Sequence, residues 1–264
     1  MVRHPVHLNG QDSTRAPSLQ ATNLSLPDPL TASRSPCPGL NALANHGWLR
    51  RSGLNISFPE IDYAAKNVYN FAPETYLGAF LAANQTFNLS TTGSSLTINL
   101  RDLARHATIE QDGSQSRNDI YFGDDLHYDA TVFAGVAASL GLHDSSPPNA
   151  YVTVPIAAKA RAARQALAKS VNPTYSTGPG PELGSIGTTA LYLATLWDFS
   201  ASGAPKAWVK TFFEEDRIPY LEGYVAPQTK DLTFLANMVS AVNNASSDAL
   251  PAELLGEVTN MGMM

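Results

Sequence analysis

From Pro36 onward, apolar residues recur at three- and four-residue spacing in blocks separated by Gly, Pro and Asn. That period predicts a succession of helices. Gly39 to His46 reads as a short helix stopped by Gly47, a residue suited to the left-handed position after a helix end. Residues 58–70 follow Ser57, a good N-cap, with Pro59 in the first turn. Residues 73–83 repeat the pattern with Tyr76, Phe80 and Leu81 at helical spacing, and 130–140 form an Ala-rich helix. The longest amphipathic stretch is 152–171, with Lys159, Arg161, Arg164 and Lys169 expected on its wetter side. Residues 187–197 are apolar on nearly every face and are expected to be buried, and helices over 205–213 and 231–242 close the chain.

Period-two alternation is confined to Ser94 to Leu100, expected as half of a small hairpin with residues 86–92, followed by a helical turn over 101–107. Residues 1–34 are polar, carry Pro, Ser and Thr, and read as an extended N-terminal arm. The expected fold is all-α, a single helical domain over residues 35–264 with a minor β-hairpin.

A chain of 264 residues buries a sizeable core. Its net charge of −6, without a Lys/Arg cluster, argues against a nucleic-acid partner. No apolar run is long enough to span a membrane. The N-terminal residues lack an apolar signal core, which predicts either a mature or an intracellular form. Sequons at Asn23, Asn55, Asn84, Asn88 and Asn244 favour secretion and glycosylation.

Cys37 is the one cysteine, so no disulfide forms within the chain, and none is spare for a covalent dimer, which points to a monomer. Pro36 and Pro38 stiffen its backbone, and the helix that follows puts its sulfur at a helix N-terminus, a position that favours a thiolate. A rigid anionic sulfur suits the axial ligand of a haem iron. Two other readings of a lone cysteine remain at this stage: an inert buried residue and the nucleophile of a hydrolase.

Several ordered blocks together carry a family resemblance: Pro36-Cys37-Pro38 with the following Gly39 to Gly47, Ile56 to Glu60, Arg105 to Arg117, and Phe212 to Tyr220. In these blocks the chain resembles the fungal haem-thiolate peroxidases, the chloroperoxidase and unspecific-peroxygenase family, in its short type. The resemblance implies an all-α fold around one haem b, with Cys37 as iron ligand and Pro36, Pro38 and Asn41 beside the cofactor. It also implies a magnesium ion held by Glu110 and by backbone oxygens of Gln111 and Ser114; oxygen-only ligation suits that hard cation. Hydrogen peroxide and a small apolar organic substrate would be the partners. Phe71, Phe80, Phe87, Leu191 and Tyr192 are candidate channel residues.

The chain departs from the family on the distal side, where peroxide cleavage needs a proton carrier. Gln111 stands where a His is expected, and Thr188 follows Gly187 where a Glu is expected. Gln111 and Thr188 can hydrogen-bond but neither is a general base near neutral pH. Glu182, six residues before Thr188, is the alternative carboxylate; its ordinary role would be to complement the dipole in the first turn of a helix. Among the histidines, His106 is expected to support Glu110, His46 to make a structural bond, and His127 to lie in a loop. These departures admit a second function: a haem-binding member with weakened peroxide chemistry, serving one dedicated secondary-metabolite substrate or a non-catalytic role.

Overall fold

The computed structural model describes residues 24–25, 31–143, 146–147, 150–226, 228–251 and 253–255. Most of the expected N-terminal arm, with the Asn23 sequon, lies outside them. The described end of the arm is tied to the domain: Ser33 donates its N–H to the Ser52 carbonyl at 2.7 Å, and Arg34 Nη2 donates to Asn45 Oδ1 at 2.8 Å.

The fold is mostly helical. Helix α1 spans Pro38–Asn45. Helix α2 (Phe58–Ala64) opens on a capping box in which Glu60 Oε2 accepts from the Ser57 N–H at 2.9 Å, and it runs into a π turn over Ala65–Tyr69. Helix α3 (Leu77–Leu81) is shorter than the apolar spacing predicts and also ends in a π turn. Helix α4 (Ala130–Leu140) is capped by Asp129, which accepts from the Thr131 and Val132 N–H groups, and is closed by Gly141 in the left-handed region.

Helices α5 (Val154–Val171), α6 (Pro179–Thr195), α7 (Lys206–Glu215) and α8 (Leu232–Asn244) complete the set. Helix α6 is central: it packs against α8 and α5, α5 packs on α4, and α7 lies on α1. Ile186, Ala190, Leu193 and Ala194 of α6, and Leu196 at its C-cap, are almost wholly enclosed. Each buried Leu or Ile contributes about 1.5–3 kcal/mol.

Three expectations are corrected. The strand Thr97–Ile98 (β2) pairs antiparallel with Ile56–Ser57 (β1), Ile56 opposite Ile98, and not with residues 86–92. The capping box at Ser57 sets β1 in place, and pairing it buries both isoleucines. A second ladder joins Tyr151–Val152 (β3) to Ala204–Pro205 (β4). Helix α6 begins at Pro179, eight residues before the apolar run, because two prolines fit its first turns.

Finally, Arg161 and Arg164 are buried, not on a wet face. Partners on neighbouring segments make this tolerable: Arg164 Nη2 reaches Asp119 Oδ1 at 2.7 Å, and Arg161 pairs with Asp248 and donates to Ser185 Oγ at 3.4 Å. No described helix is long and apolar enough to cross a membrane.

Of the described sequons, Asn55, Asn88 and Asn244 are exposed, whereas Asn84 is 4 % exposed and donates toward the Thr97 carbonyl.

Candidate active site

Cys37 occupies the N-cap position of α1 in extended backbone geometry, with Pro38 in the first turn. Its N–H donates to Ser35 Oγ at 3.2 Å. Asn41, one turn later, clamps this segment: its Oδ1 accepts from the Ser35 N–H at 2.9 Å and its Nδ2 donates to the Ser35 carbonyl at 2.8 Å. The Cys37 sulfur is thereby fixed at the wall of a large cavity. The Leu40 and Gly39 N–H groups hydrogen-bond to it, and Arg117 adds positive potential. Burial nevertheless pushes the thiol above its usual pKa. Burial thus opposes what the helix N-terminus favours at Cys37, and bonding to a metal cation would favour the thiolate.

The cavity encloses about 1190 Å³ of empty space, its open mouth included. Pro38, Leu40, Leu43, Phe212 and Phe213 line it around Cys37, and Leu103, Ile109 and Leu191 are also on its walls. Gly39 lets the Phe212 ring approach α1: a Cβ there would sit 3.3 Å from Phe212 Cζ and 3.7 Å from the Cys37 sulfur. A rigid sulfur on an apolar wall, ringed by N–H donors and with space above it, fits a planar haem with one axial thiolate.

The structure brings Pro36, Cys37, Pro38, Glu110, Gln111, Ser114 and Thr188 onto one cavity, although they come from three distant segments. Asn41 and Glu182 are not among its lining residues. Asn41 acts behind Cys37 through the bonds above. Glu182 sits half-buried in the first turn of α6, its N–H donating to the Gly178 carbonyl. Of the channel candidates, Leu191 and Tyr192 line the cavity, whereas Phe71 and Phe80 belong to the enclosed core and Phe87 packs against it.

On the distal wall, Gln111 fills space that Gly184 leaves open: a Cβ on Gly184 would lie 2.2 Å from Gln111 Oε1. Thr188, one turn further along α6, directs its hydroxyl to the Ser185 carbonyl at 3.2 Å. Ser185 and Gln115 are among the lining residues missed from the sequence. Ser185 shares the α6 face of Thr188 at i−3 spacing, which was the available signal. Gln115 donates to Thr189 Oγ1 at 2.7 Å and leaves its buried Oε1 without a partner among the described residues; no local pattern announces it.

Glu110 is the one carboxylate among the described lining residues. Burial raises its pKa to about 7, against the pull of His106, whose Nδ1 lies 2.7 Å from Glu110 Oε2. The other oxygen, Oε1, is buried and without a hydrogen-bond partner among the described residues. The Ser114 carbonyl, another oxygen assigned to magnesium by the resemblance, accepts from Arg164 Nε at 2.9 Å.

The known proteins similar to this chain include peroxidases and peroxygenases. The profile of the family described as Peroxidase, family 2, matches residues 25–229. A chloroperoxidase of Leptoxyphium fumago is 28% identical over 246 residues, covering 85% of this chain and 63% of that protein. An aromatic peroxygenase of Coprinellus radians is 33% identical over 114 residues, 38% of this chain and 43% of that protein. A dothistromin biosynthesis peroxidase of Dothistroma septosporum is 27% identical over 160 residues, 55% of this chain and 37% of that protein. The matches thus span less than two thirds of the length of these relatives. With the family profile covering most of the sequence, the chain belongs to peroxidase family 2, the fungal haem-thiolate peroxidases.

Proposed function

We propose that this chain is a haem-thiolate peroxygenase or peroxidase that uses hydrogen peroxide to oxygenate or oxidise small apolar or aromatic molecules. The observation that carries this reading is the Cys37 sulfur, held by Ser35 and Asn41 at the wall of a large apolar cavity with the Leu40 and Gly39 N–H groups upon it. The Cys37 sulfur would hold haem b, which when bound would supply a redox-active iron, and thiolate ligation would favour cleavage of the peroxide O–O bond.

The chain's own residues do the rest. The two N–H donors stabilise charge on the sulfur. The aromatic and aliphatic walls exclude water and receive an apolar substrate. Gln111 and Thr188 offer hydrogen bonds on the distal wall but hold no mobile proton near neutral pH. With no carboxylate at position 111 or 188, peroxide cleavage is slow, or depends on a substrate that carries its own polar group. The weakened-chemistry reading draws support from the same place: Thr188 lines the cavity and Glu182 does not. The exposed sequons support a secreted protein.

The test is the absorption spectrum of the reduced protein under carbon monoxide. The red-shifted Soret band of thiolate ligation is expected in the parent chain and absent in Cys37→Ala; a parent chain without it overturns the haem reading. Thr188→Glu places a carboxylate at position 188 and is expected to raise peroxide-dependent oxidation of a generic aromatic substrate. Brisk turnover by the unaltered chain would remove the weakened reading.

A further inference from the structure

Gln111 presents a whole primary amide to the cavity. The residue lines the wall and is half-buried. No described residue hydrogen-bonds to its side chain. Neither amide atom is closed off by protein, in contrast to the enclosed Oε1 of Gln115. A donor nitrogen and an acceptor oxygen, side by side, are therefore open to a ligand.

The amide is seated on the helix beside it. Its Oε1, Cδ and Nε2 lie so near the backbone of Gly184 that a Cβ there would run into all three. A side chain placed in this way loses less freedom when a ligand binds. Thr188, four residues on, commits its hydrogen to the Ser185 carbonyl and so offers an incoming ligand lone pairs alone. Elsewhere the wall carries Leu103, Ile109 and Leu191.

We propose that Gln111 is a specificity-determining residue and that it selects an aromatic molecule bearing an amide or lactam edge. Such an edge sets an N–H beside a carbonyl. It meets the side-chain amide in two parallel hydrogen bonds, its N–H donating to Oε1 and Nε2 donating to its carbonyl. This is the bidentate pattern by which Gln pairs with adenine. A phenol or a ketone would satisfy one of the two. A carboxylate would set its oxygens against Oε1 and against Glu110, which lines the same cavity. The apolar walls take the rings. The proposal deepens the functional reading above and rests on it in taking this cavity as the substrate site.

The probes are 2-quinolinone, which carries the lactam edge, and N-methyl-2-quinolinone, which lacks its N–H. Their dissociation constants are read by titration calorimetry on the purified full chain, without peroxide, so that no turnover is needed. A site built to hydrogen-bond a ligand group rejects the analogue without it, because its own polar group is then left unpaired. The parent chain is expected to prefer 2-quinolinone by about tenfold or more. Gln111→Leu, similar in size but without hydrogen bonds, is expected to bring that ratio below about twofold. Gly184→Ala keeps Gln111 but pushes its amide aside, and is expected to lower the ratio too.

The readout is a ratio of two affinities on one chain, so partial unfolding of a variant cancels. Absence of 2-quinolinone binding by the parent, or a parent ratio near one, would overturn the proposal, as would a parent-like ratio in Gln111→Leu. Where Gln111→Leu yields no folded chain, a parent-like ratio in Gly184→Ala does the same. The carbon monoxide spectrum reads the haem site separately. A missing band with the ratio intact removes the haem reading alone, and a normal band with a ratio near one removes this proposal alone.

Discussion

Asn41 Nδ2 donates to Asp216 Oδ2 at 2.8 Å, joining the helix that presents Cys37 to the turn that ends α7, 175 residues away. The same carboxylate pairs with Arg117, whose Nη2 lies 3.0 Å from Oδ1, while the Asp216 carbonyl accepts from Asn45 Nδ2. Asp216 thus fastens three segments behind the sulfur. Arg117 is 1 % exposed, so Asp216→Ala leaves a buried cation without its counter-charge. The expected cost is about 3–5 kcal/mol. Asp216 has φ +44, which adds backbone strain for Ala. Asp216→Asn keeps an acceptor and tolerates that backbone, so it is expected to fall between the two. Urea unfolding of the three chains checks the order.

Gly184 and Gln111 form a second testable pair. Gly184→Ala drives a methyl into the Gln111 amide, the far end of a flexible side chain that must swing aside, and is expected to cost about 0.5–1.5 kcal/mol. In a Gln111→Ala background the space is free, and Ala is the better helix former, so the same change is expected to be neutral or stabilising. Additive effects across this double-mutant cycle would show that the two side chains do not compete for one space.

Lys230 gives stability a pH dependence. Its ammonium is buried, lies 4.7 Å from the centre of the Phe71 ring, and finds no hydrogen-bond partner among the described residues. Burial lowers its pKa from 10.5 to about 7. Between those values the unfolded chain binds a proton that the folded chain does not, so this residue makes stability rise with pH from about 7 toward 10.5. Below about pH 7 the folded state carries the buried charge at its full cost. Lys230→Met is expected to raise the melting temperature at pH 6 and to flatten its rise above pH 7. A parent chain whose melting temperature falls steadily across this window, with Lys230→Met showing the same slope, would contradict the assignment.

Glycan placement follows from burial. In a secreting host, glycan is expected at one or more of Asn55, Asn88 and Asn244 and not at Asn84, whose side chain is enclosed. Peptide mapping reads each position directly, and an occupied Asn84 would contradict its burial in the native fold.

Local signals were the legible part of the chain. Ser57 with Pro59, the Ala-rich run to Leu140 and Gly47 after α1 each mark an element through contacts within a few residues, and each element is present. Pairing and burial were less legible because they depend on distant partners. Nothing near Arg161 or Arg164 says that Asp248 and Asp119 will meet them inside the fold. The π turn over Ala65–Tyr69, which carries cavity-lining Tyr69, has no sequence period of its own.

The sequence by itself determined the helical class, the rigid backbone around Cys37 and the set of side chains available to the site, because these follow from short-range sterics and residue chemistry. Tertiary structure decided which of them share the cavity. It put Gln111 against Gly184, set Thr188 on the wall with Glu182 outside it, and drew Asp125 to His106 and Glu110. It also set burial, which raises the Cys37 thiol pKa, against the N–H groups of the helix start, which lower it. Desolvation and through-space charge depend on what surrounds a group in three dimensions, and no local period in the chain encodes them.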